Sequence, residues 1–160
     1  MFGLSKKSIV ISSPFDGTVV SLSKVSDPVF SQEILGPGIA VMPDSADSVC
    51  VKAPCKATVD QMFETGHAAN LLTDDGVQLL IHVGIDTVKL KGQHYTIVKN
   101  SGEKVSTGDI LMKFDGAAIS KEGFDTVTPV VVCNPDDFKN LTFAKEGAIK
   151  AGEPLITINK

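Results

Sequence analysis

The sequence lacks several features that define large classes of protein. It has no tryptophan, one tyrosine and three cysteines among 160 residues. No stretch reaches the roughly 18 apolar residues of a membrane-spanning helix. The first residues are short and basic and do not form the apolar core of a secretory signal peptide. We therefore expect a cytoplasmic protein that does not insert into a membrane.

The three cysteines do not have the spacing of a metal site or of a disulfide framework. Their odd number favours a reducing compartment. Cys50 and Cys55 are separated by four residues with no further sulfur ligand nearby, and Cys133 ends an apolar run. We expect buried, unreactive thiols and neither a structural zinc nor a redox pair.

Net charge and chain length limit the possible partners and the number of domains. The formal net charge of −4 argues against nucleic acid and anionic membrane as partners and favours a basic partner protein. A chain of 160 residues is long enough to bury a core as one domain. We expect residues 1–160 to form that domain, with about residues 1–8 as a flexible N-terminal segment.

Short apolar runs rich in β-branched residues, separated by Gly, Pro and Asp, predict the fold. These runs are residues 8–11, 17–20, 39–41, 109–112 and 154–158. No segment keeps a helical period over three turns, and the best helical candidates are residues 117–122 and 136–140. The pattern predicts an all-β fold, an antiparallel β-sandwich or barrel with only short helices.

Two pairs of segments resemble each other at a spacing of about forty residues. Residues 14–19 resemble residues 54–59, and residues 105–111 resemble residues 149–155. The similarity predicts pseudo-duplicated strand–turn–strand units. Chance similarity between common turn sequences is the alternative explanation.

A histidine in the middle of an apolar run is the most informative residue of the chain. His82 lies in residues 76–88, which otherwise have the composition of a buried strand. Burying an unpaired polar ring costs roughly 1–3 kcal/mol, so this ring needs a partner or a chemical role. His67 lies fifteen residues earlier, and an Asp-Gly turn signal separates the two histidines.

That turn predicts how the two histidines face each other. If Asp75-Gly76 is a two-residue hairpin loop, His82 lies opposite Ala69 and His67 lies opposite Gly84. Because side chains alternate along a strand, the two rings then become diagonal neighbours on one face, with backbones roughly 7–8 Å apart. A three-residue loop would shift the register by one residue and separate the rings.

Two imidazoles on one face suit phosphoryl transfer. A carrier histidine needs one free, neutral ring nitrogen and a hydrogen bond that fixes the other. A carbonyl of a flanking strand or that of nearby Gly84 is expected to accept from Nδ1. A second imidazole adds charge stabilisation without the strong binding of a lysine or arginine. Thr65, two residues before His67, offers that ring a hydroxyl on the same strand face. No group of carboxylates accompanies the pair in sequence, so a magnesium site is not expected.

Two other functions fit parts of the sequence. In a zinc hydrolase, His67 and His82 would be ligands, and Asp86, His94 or a distant carboxylate would supply the usual third one. In a lipoyl- or biotin-type carrier domain, suggested by residues 51–54 and the repeated turns, a lysine at a hairpin tip would be modified. Residues 88–90 do not make a convincing tip.

Residues 76–88 resemble the signature of the glucose-type enzyme IIA family of the bacterial sugar phosphotransferase system. That signature is a glycine, two free positions, three aliphatic residues, the phosphorylated histidine, an aliphatic residue, glycine, an aliphatic residue, a free position, threonine and an aliphatic residue. The resemblance extends to residues 63–68, 90–92, 128–130 and 152–153. It therefore spans nearly the whole chain.

The resemblance implies roles for four residues. His82 would accept a phosphoryl group on Nε2 from the phosphocarrier HPr and pass it to the IIB domain of a glucose-family sugar permease. His67 would hydrogen-bond the phosphoryl group, Thr65 would orient His67, and Asp86 would lie near the site. No cofactor is required for this transfer. The two histidines would also bind zinc together with a carboxylate from a regulated partner enzyme.

Apolar residues near the site are expected to exclude water and to form a docking rim. They are Phe63, Ile39, Leu80 and Val83.

Three positions depart from the family pattern. Pro37 replaces an acidic residue of the rim, Ala69 stands where a larger aromatic residue is common, and Gly66 replaces a polar or basic residue. The departures bear on which partner docks.

Overall fold

Short strands make up most of the regular structure. The computed structural model describes residues 8–45 and 47–160. In this part of the chain the strands are β1 (Ser8–Ser12), β2 (Gly17–Ser21), β3 (Gly38–Pro43), β4 (Ser48–Lys52), β5 (Ala57–Met62), β6 (Ala68–Leu72), β7 (Gln78–His82), β8 (Tyr95–Ile97), β9 (Lys104–Val105), β10 (Ile110–Asp115), β11 (Thr128–Val132), β12 (Asn140–Phe143), β13 (Gly147–Ile149) and β14 (Pro154–Asn159).

The strands form one large and two small antiparallel sheets. The large sheet has the order β13-β2-β3-β11-β7-β6-β5-β9, and the small sheets have the orders β1-β14-β12 and β4-β10-β8. Strands near the sheet edges, such as β4, alternate buried and exposed side chains, whereas the central strand β11 of the large sheet is buried along its whole length. The predicted all-β antiparallel sandwich is confirmed.

Helical structure is limited to short segments. In the described residues the α-helices are α1 (Pro28–Ser31) and α2 (Gly116–Lys121), and 3₁₀ turns occur at Leu22–Lys24, Thr87–Leu90 and Pro135–Asp137. The helix predicted at residues 117–122 corresponds to α2. The one predicted at 136–140 is wrong, because only a 3₁₀ turn forms there and β12 begins at Asn140.

The repeated segments occupy equivalent places in two halves of the sandwich. Strands β2 and β5 each pair with a short strand, and strands β1 and β4 each pair with a long one. The equivalent residue pairs are Gly17 with Ile149 and Ala57 with Val105 in the large sheet, and Ile9 with Ile158 and Val49 with Phe114 in the small sheets. The predicted pseudo-duplication is therefore present in the strand pairing.

Reciprocal hydrogen bonds join the two halves. The Ser12 N–H donates to the Pro54 carbonyl over 2.9 Å, and the Lys52 N–H donates to the Pro14 carbonyl over 2.9 Å. The same bond is thus made twice in opposite directions, as an approximate twofold axis requires.

The large sheet is covered on both faces. Its inner face packs against the two small sheets in the main core, which includes Leu79, Ile81 and Val130. On its outer face a second apolar cluster contains Phe30 of α1 and Ala68 of β6. His82 and His67 adjoin this second cluster through Phe30 and Phe63, respectively.

The cysteines are less uniformly buried than expected. Cys55 is buried, Cys50 is half-buried and Cys133 is exposed. Cys133 follows the end of β11, where the chain leaves the sheet and its side chain reaches the surface.

The remaining expectations concern the chain ends and the membrane. Of the predicted flexible segment, residues 1–7 lie outside the described residues, and Ser8 is the first residue of β1, paired with Asn159. Within residues 8–45 and 47–160, no helix is both long enough and apolar enough to cross a membrane.

Candidate functional site

The two histidine rings are in contact. His82 is the last residue of β7, and His67 directly precedes β6. Their ring centroids are 4.9 Å apart, and the ring planes are inclined at 81°. Phe30 packs on the His82 ring at 5.0 Å, and Phe63 packs on the His67 ring at 5.5 Å. The pair is thus held between two aromatic rings, one from α1 and one from the chain before His67.

The predicted hairpin register is wrong by one residue. His82 pairs with Ala68 in place of Ala69, because Thr73 pairs with Val77 beyond the ends of β6 and β7 and leaves a loop of three residues, 74–76. Thr73 closes this loop: its N–H donates to the Val77 carbonyl over 3.1 Å, and its hydroxyl accepts from the Val77 N–H over 2.9 Å.

The rings meet in spite of this register because His67 is not part of the strand. It follows Gly66, whose φ of +71° places the chain in the left-handed region that favours glycine. Strand alternation therefore does not set the direction of the His67 side chain. Its backbone still continues the ladder, since the Val83 N–H donates to the His67 carbonyl over 2.6 Å.

A backbone carbonyl fixes the tautomer of His82. The His82 Nδ1 lies 2.7 Å from the Gly84 carbonyl oxygen. Because a carbonyl only accepts, Nδ1 carries the hydrogen, and Nε2 of the neutral ring has a free lone pair. Gly84 has a φ of +87°, and a Cβ there would lie 2.5 Å from Thr87 Cγ2. The turn that presents this carbonyl therefore requires glycine.

Thr65 holds the second ring. Its hydroxyl is hydrogen-bonded to Nδ1 of His67, so Nε2 of His67 is left for another partner. Thr65 lies in the turn before β6 and not in a strand. The predicted contact exists, but the turn produces it and not strand alternation.

Both imidazoles are neutral at physiological pH. Burial and, to a smaller extent, the charge that His82 would carry when protonated together lower the pKa of His67 to about 4. Burial also lowers the pKa of His82, while the Gly84 hydrogen bond and the carboxylates of Asp27 and Asp86 act in the opposite direction. A neutral His82 with a free Nε2 is a nucleophile.

Asp27 is a residue near His82 that the sequence analysis missed. Its side chain accepts from the Val29 N–H over 2.9 Å and so caps α1, while its charge acts on His82. The Asp-Pro pair at residues 27–28 is a helix-start signal, but sequence does not show that this start lies beside a histidine 55 positions further on. Although Pro37 removes one acidic residue from the family pattern, Asp27 and Asp86 leave the site with two carboxylates nearby.

Three of the four residues expected to form a docking rim are buried. Ile39, Leu80 and Val83 expose 5%, 7% and 0% of their surface, because each side chain packs into one of the apolar clusters. Ile39 and Val83 belong to the main core and Leu80 to the second cluster, so these side chains do not form an exposed rim. Phe63 is half-buried beside His67.

The apolar surface near the site comes instead from other segments. Val29, Ile34 and Leu35 expose 38%, 65% and 41% and lie in or just after α1, which also carries Phe30. Val88 exposes 53% in the 3₁₀ turn that follows Asp86.

Of the further residues considered for the two rival functions, Asp86 lies near His82, whereas His94 does not join the histidine pair. His94 is paired with Glu122 on the segment after α2. Across residues 8–45 and 47–160, no group of three or more His, Cys, Asp or Glu side chains could hold a metal ion. Lys89 lies within a 3₁₀ turn and not at a hairpin tip, which removes the basis for a lipoyl-type site there.

Comparison with known proteins identifies related chains. Residues 9–138 match the family of the phosphoenolpyruvate-dependent sugar phosphotransferase system, EIIA 1. The chain is 38% identical over 150 residues to the β-glucoside-specific EIIBCA component of Bacillus subtilis, covering 94% of this chain and 24% of that protein. It is 38% identical over 152 residues to the glucose-specific EIIA component of Buchnera aphidicola, covering 95% and 92%.

A solved structure has the same fold. Glucose permease IIA from Mycoplasma capricolum superposes with a TM-score of 0.89 at 30% identity, covering 98% of this chain and 99% of that one. The chain thus spans about a quarter of the B. subtilis relative and nearly all of the two glucose-specific ones. With the family match over residues 9–138, these similarities show that the chain belongs to the glucose-type EIIA family of the phosphoenolpyruvate-dependent sugar phosphotransferase system.

Proposed function

We propose that the chain is a cytoplasmic phosphoryl carrier that uses Nε2 of His82. It would accept the phosphoryl group from phosphorylated HPr and donate it to the IIB domain of a glucose-family sugar permease. One observation carries this proposal: the Gly84 carbonyl holds Nδ1 of a neutral His82 at 2.7 Å, so that Nε2 is free beside a second imidazole.

The transfer step uses the lone pair of His82 Nε2. This nitrogen attacks phosphorus in the donor phosphohistidine, a new N–P bond forms, and the N–P bond of the donor breaks with its electron pair returning to the donor ring. The second transfer, to the IIB domain, repeats this step with His82 as the leaving group. In each step the protein contributes positioning and charge stabilisation.

His67 would stabilise the transferred group through Nε2–H. If the Thr65 hydroxyl donates to Nδ1 of His67, the ring hydrogen lies on Nε2, which then donates to a phosphoryl oxygen. The contact between Thr65 and His67 and the lowered pKa of His67, about 4, support a neutral donor. A neutral donor binds a phosphoryl group less tightly than a cation would, and the group must leave again.

The surroundings suit a protein partner. The exposed Val29, Ile34 and Leu35 offer apolar contact area close to the buried Phe30, and an apolar interface core also excludes water from the phosphohistidine. Asp27 and Asp86 add negative charge near His82. This charge favours HPr and IIB surfaces that present basic side chains.

The histidine pair also fits two positions of a zinc site shared with a regulated partner protein. Zinc would bind the other neutral tautomer of His67, in which Nδ1–H donates to the Thr65 hydroxyl and Nε2 carries the lone pair, as Nε2 of His82 already does. Two such Nε2 atoms are good zinc ligands. A carboxylate from the partner would complete the site, and the bound ion would strengthen that regulatory contact. Phosphoryl transfer would not use it.

The proposal is tested by phosphorylating the purified chain with phosphoenolpyruvate, enzyme I and HPr. The wild-type chain should gain one acid-labile phosphoryl group. His82→Gln should gain none, because the nucleophile is absent. His67→Gln should still be labelled by HPr but should pass the group to a IIB domain at least about tenfold more slowly, because it loses a donor to the transferred group.

His94→Gln is the matched control, since it also removes an imidazole but from outside the site. It should be labelled and should transfer like the wild-type chain. Normal labelling of His82→Gln would overturn the proposal.

A further inference from the structure

Tyr95 contacts the segments that carry both histidines. Its hydroxyl donates to the Val83 carbonyl over 2.7 Å, one residue after His82. Its Cβ lies beside Gly66, the residue before His67: a Cβ built on Gly66 would be 3.2 Å from the Tyr95 Cβ. Tyr95 begins β8, in a small sheet on the other side of the main core. One side chain therefore joins this sheet to both halves of the site.

The carbonyl that Tyr95 binds belongs to the turn that fixes the His82 tautomer. The Thr87 hydroxyl donates to the same Val83 oxygen over 2.7 Å. The next peptide carries the Gly84 carbonyl that accepts from His82, and its N–H, from Ile85, donates to the Asp125 carbonyl over 2.9 Å. These bonds hold the turn, and among them only the bond from Tyr95 comes from the opposite small sheet.

The Tyr95 side chain is held firmly enough to act as a support. Its ring packs against Phe114, with ring centroids 6.4 Å apart, and Phe114 is buried. Burial raises the pKa of the Tyr95 hydroxyl to about 12, so the hydroxyl keeps its hydrogen and donates at neutral pH.

We propose that Tyr95 is a positioning residue for phosphoryl transfer, whose hydroxyl fixes the turn that selects the His82 tautomer while its Cβ supports the turn before His67. The inference rests on the proposed function of His82. It deepens that function by adding a residue that touches neither phosphoryl group nor partner.

The test compares Tyr95→Phe with a matched control, Ser13→Ala. Both variants lose one hydroxyl that donates to a backbone carbonyl, but the Ser13 hydroxyl donates to Phe15 in the connection between β1 and β2, away from the histidines. Two quantities are measured: the nitrogen chemical shifts of the unphosphorylated His82 ring, and the rate of labelling by phosphorylated HPr.

In Tyr95→Phe the His82 shifts should move toward a mixture of the two neutral tautomers, and labelling should slow by about threefold to tenfold, as the loss of one neutral hydrogen bond predicts. Ser13→Ala should match the wild-type chain in both. The proposal is overturned if either quantity keeps its wild-type value in Tyr95→Phe, or if Ser13→Ala changes equally. Because the shifts are measured without phosphate, a wild-type chain that fails to be labelled would contradict the proposed function and leave the shift comparison intact.

Discussion

His67 and His82 show how the surroundings of a residue set its chemistry. The same side chain type is locked by a backbone carbonyl at one position and by a threonine hydroxyl at the other, and both rings are kept neutral by burial. The sequence predicted the importance of both residues because a histidine in an apolar run is unusual. It could not predict Asp27, whose proximity to His82 arises only from the folded chain.

The lowered pKa of His67 predicts a pH-dependent stability. In the unfolded chain the pKa is near 6.5, and in the folded chain it is about 4. Between these pH values the unfolded state binds more protons than the folded state. The stabilisation of the folded state by the neutral His67 is therefore complete above pH 6.5 and is lost as the pH falls toward 4. At ~1.4 kcal/mol per pKa unit, the loss is on the order of 1–3 kcal/mol.

Urea unfolding of the wild-type chain and of His67→Gln between pH 7 and pH 4.5 measures this effect. The free energy of unfolding should fall less steeply with decreasing pH in the variant. Parallel curves for the two proteins would contradict the pKa given for His67.

At the scale of elements, two short segments decide the geometry of the site. The loop between β6 and β7 sets the register, and its three-residue form is stabilised by Asn134, whose amide donates to the Gly76 carbonyl over 2.8 Å and accepts from the Gln78 N–H over 2.9 Å. A contact from so distant a residue cannot be read from the Asp-Gly signal, so the predicted two-residue loop was wrong. Helix α1 was not predicted because four residues are too few for helical periodicity.

Asp27 both caps α1 and places a negative charge near His82, and two substitutions separate these effects. Asp27→Asn keeps an oxygen that can cap the helix but removes the charge that raises the pKa of His82. The pKa of His82, followed by its ring nitrogen shifts, should therefore fall below the wild-type value in this variant, while the free energy of unfolding changes little.

Asp27→Ala should lower the pKa of His82 in the same direction and should also lose about 0.5–2 kcal/mol of stability with the cap. A His82 titration in Asp27→Asn that coincides with the wild-type titration would show that the Asp27 charge does not reach the ring.

At the scale of the whole molecule, the sandwich consists of two similar halves with one site. The edge strands β13-β2-β3 at one end of the large sheet correspond to β9-β5-β6 at the other. This duplication was visible in sequence because it lies in local turn chemistry, which repeats with the turns. The position of the site was not visible, because it depends on Phe30 of α1 packing on His82 and on Tyr95 of β8 contacting the segments beside both histidines.

We propose that the folded chain leaves Nε2 of His82 free to accept a phosphoryl group. Phosphorus–nitrogen correlation by NMR on the phosphorylated chain, with ¹⁵N-labelled histidine, tests it most directly. Phosphorus coupled to Nε2 of His82, with the Nδ1 hydrogen still present, is the predicted result. Phosphorus coupled to Nδ1 of His82, or to either nitrogen of His67, would show that Nε2 of His82 is not the acceptor.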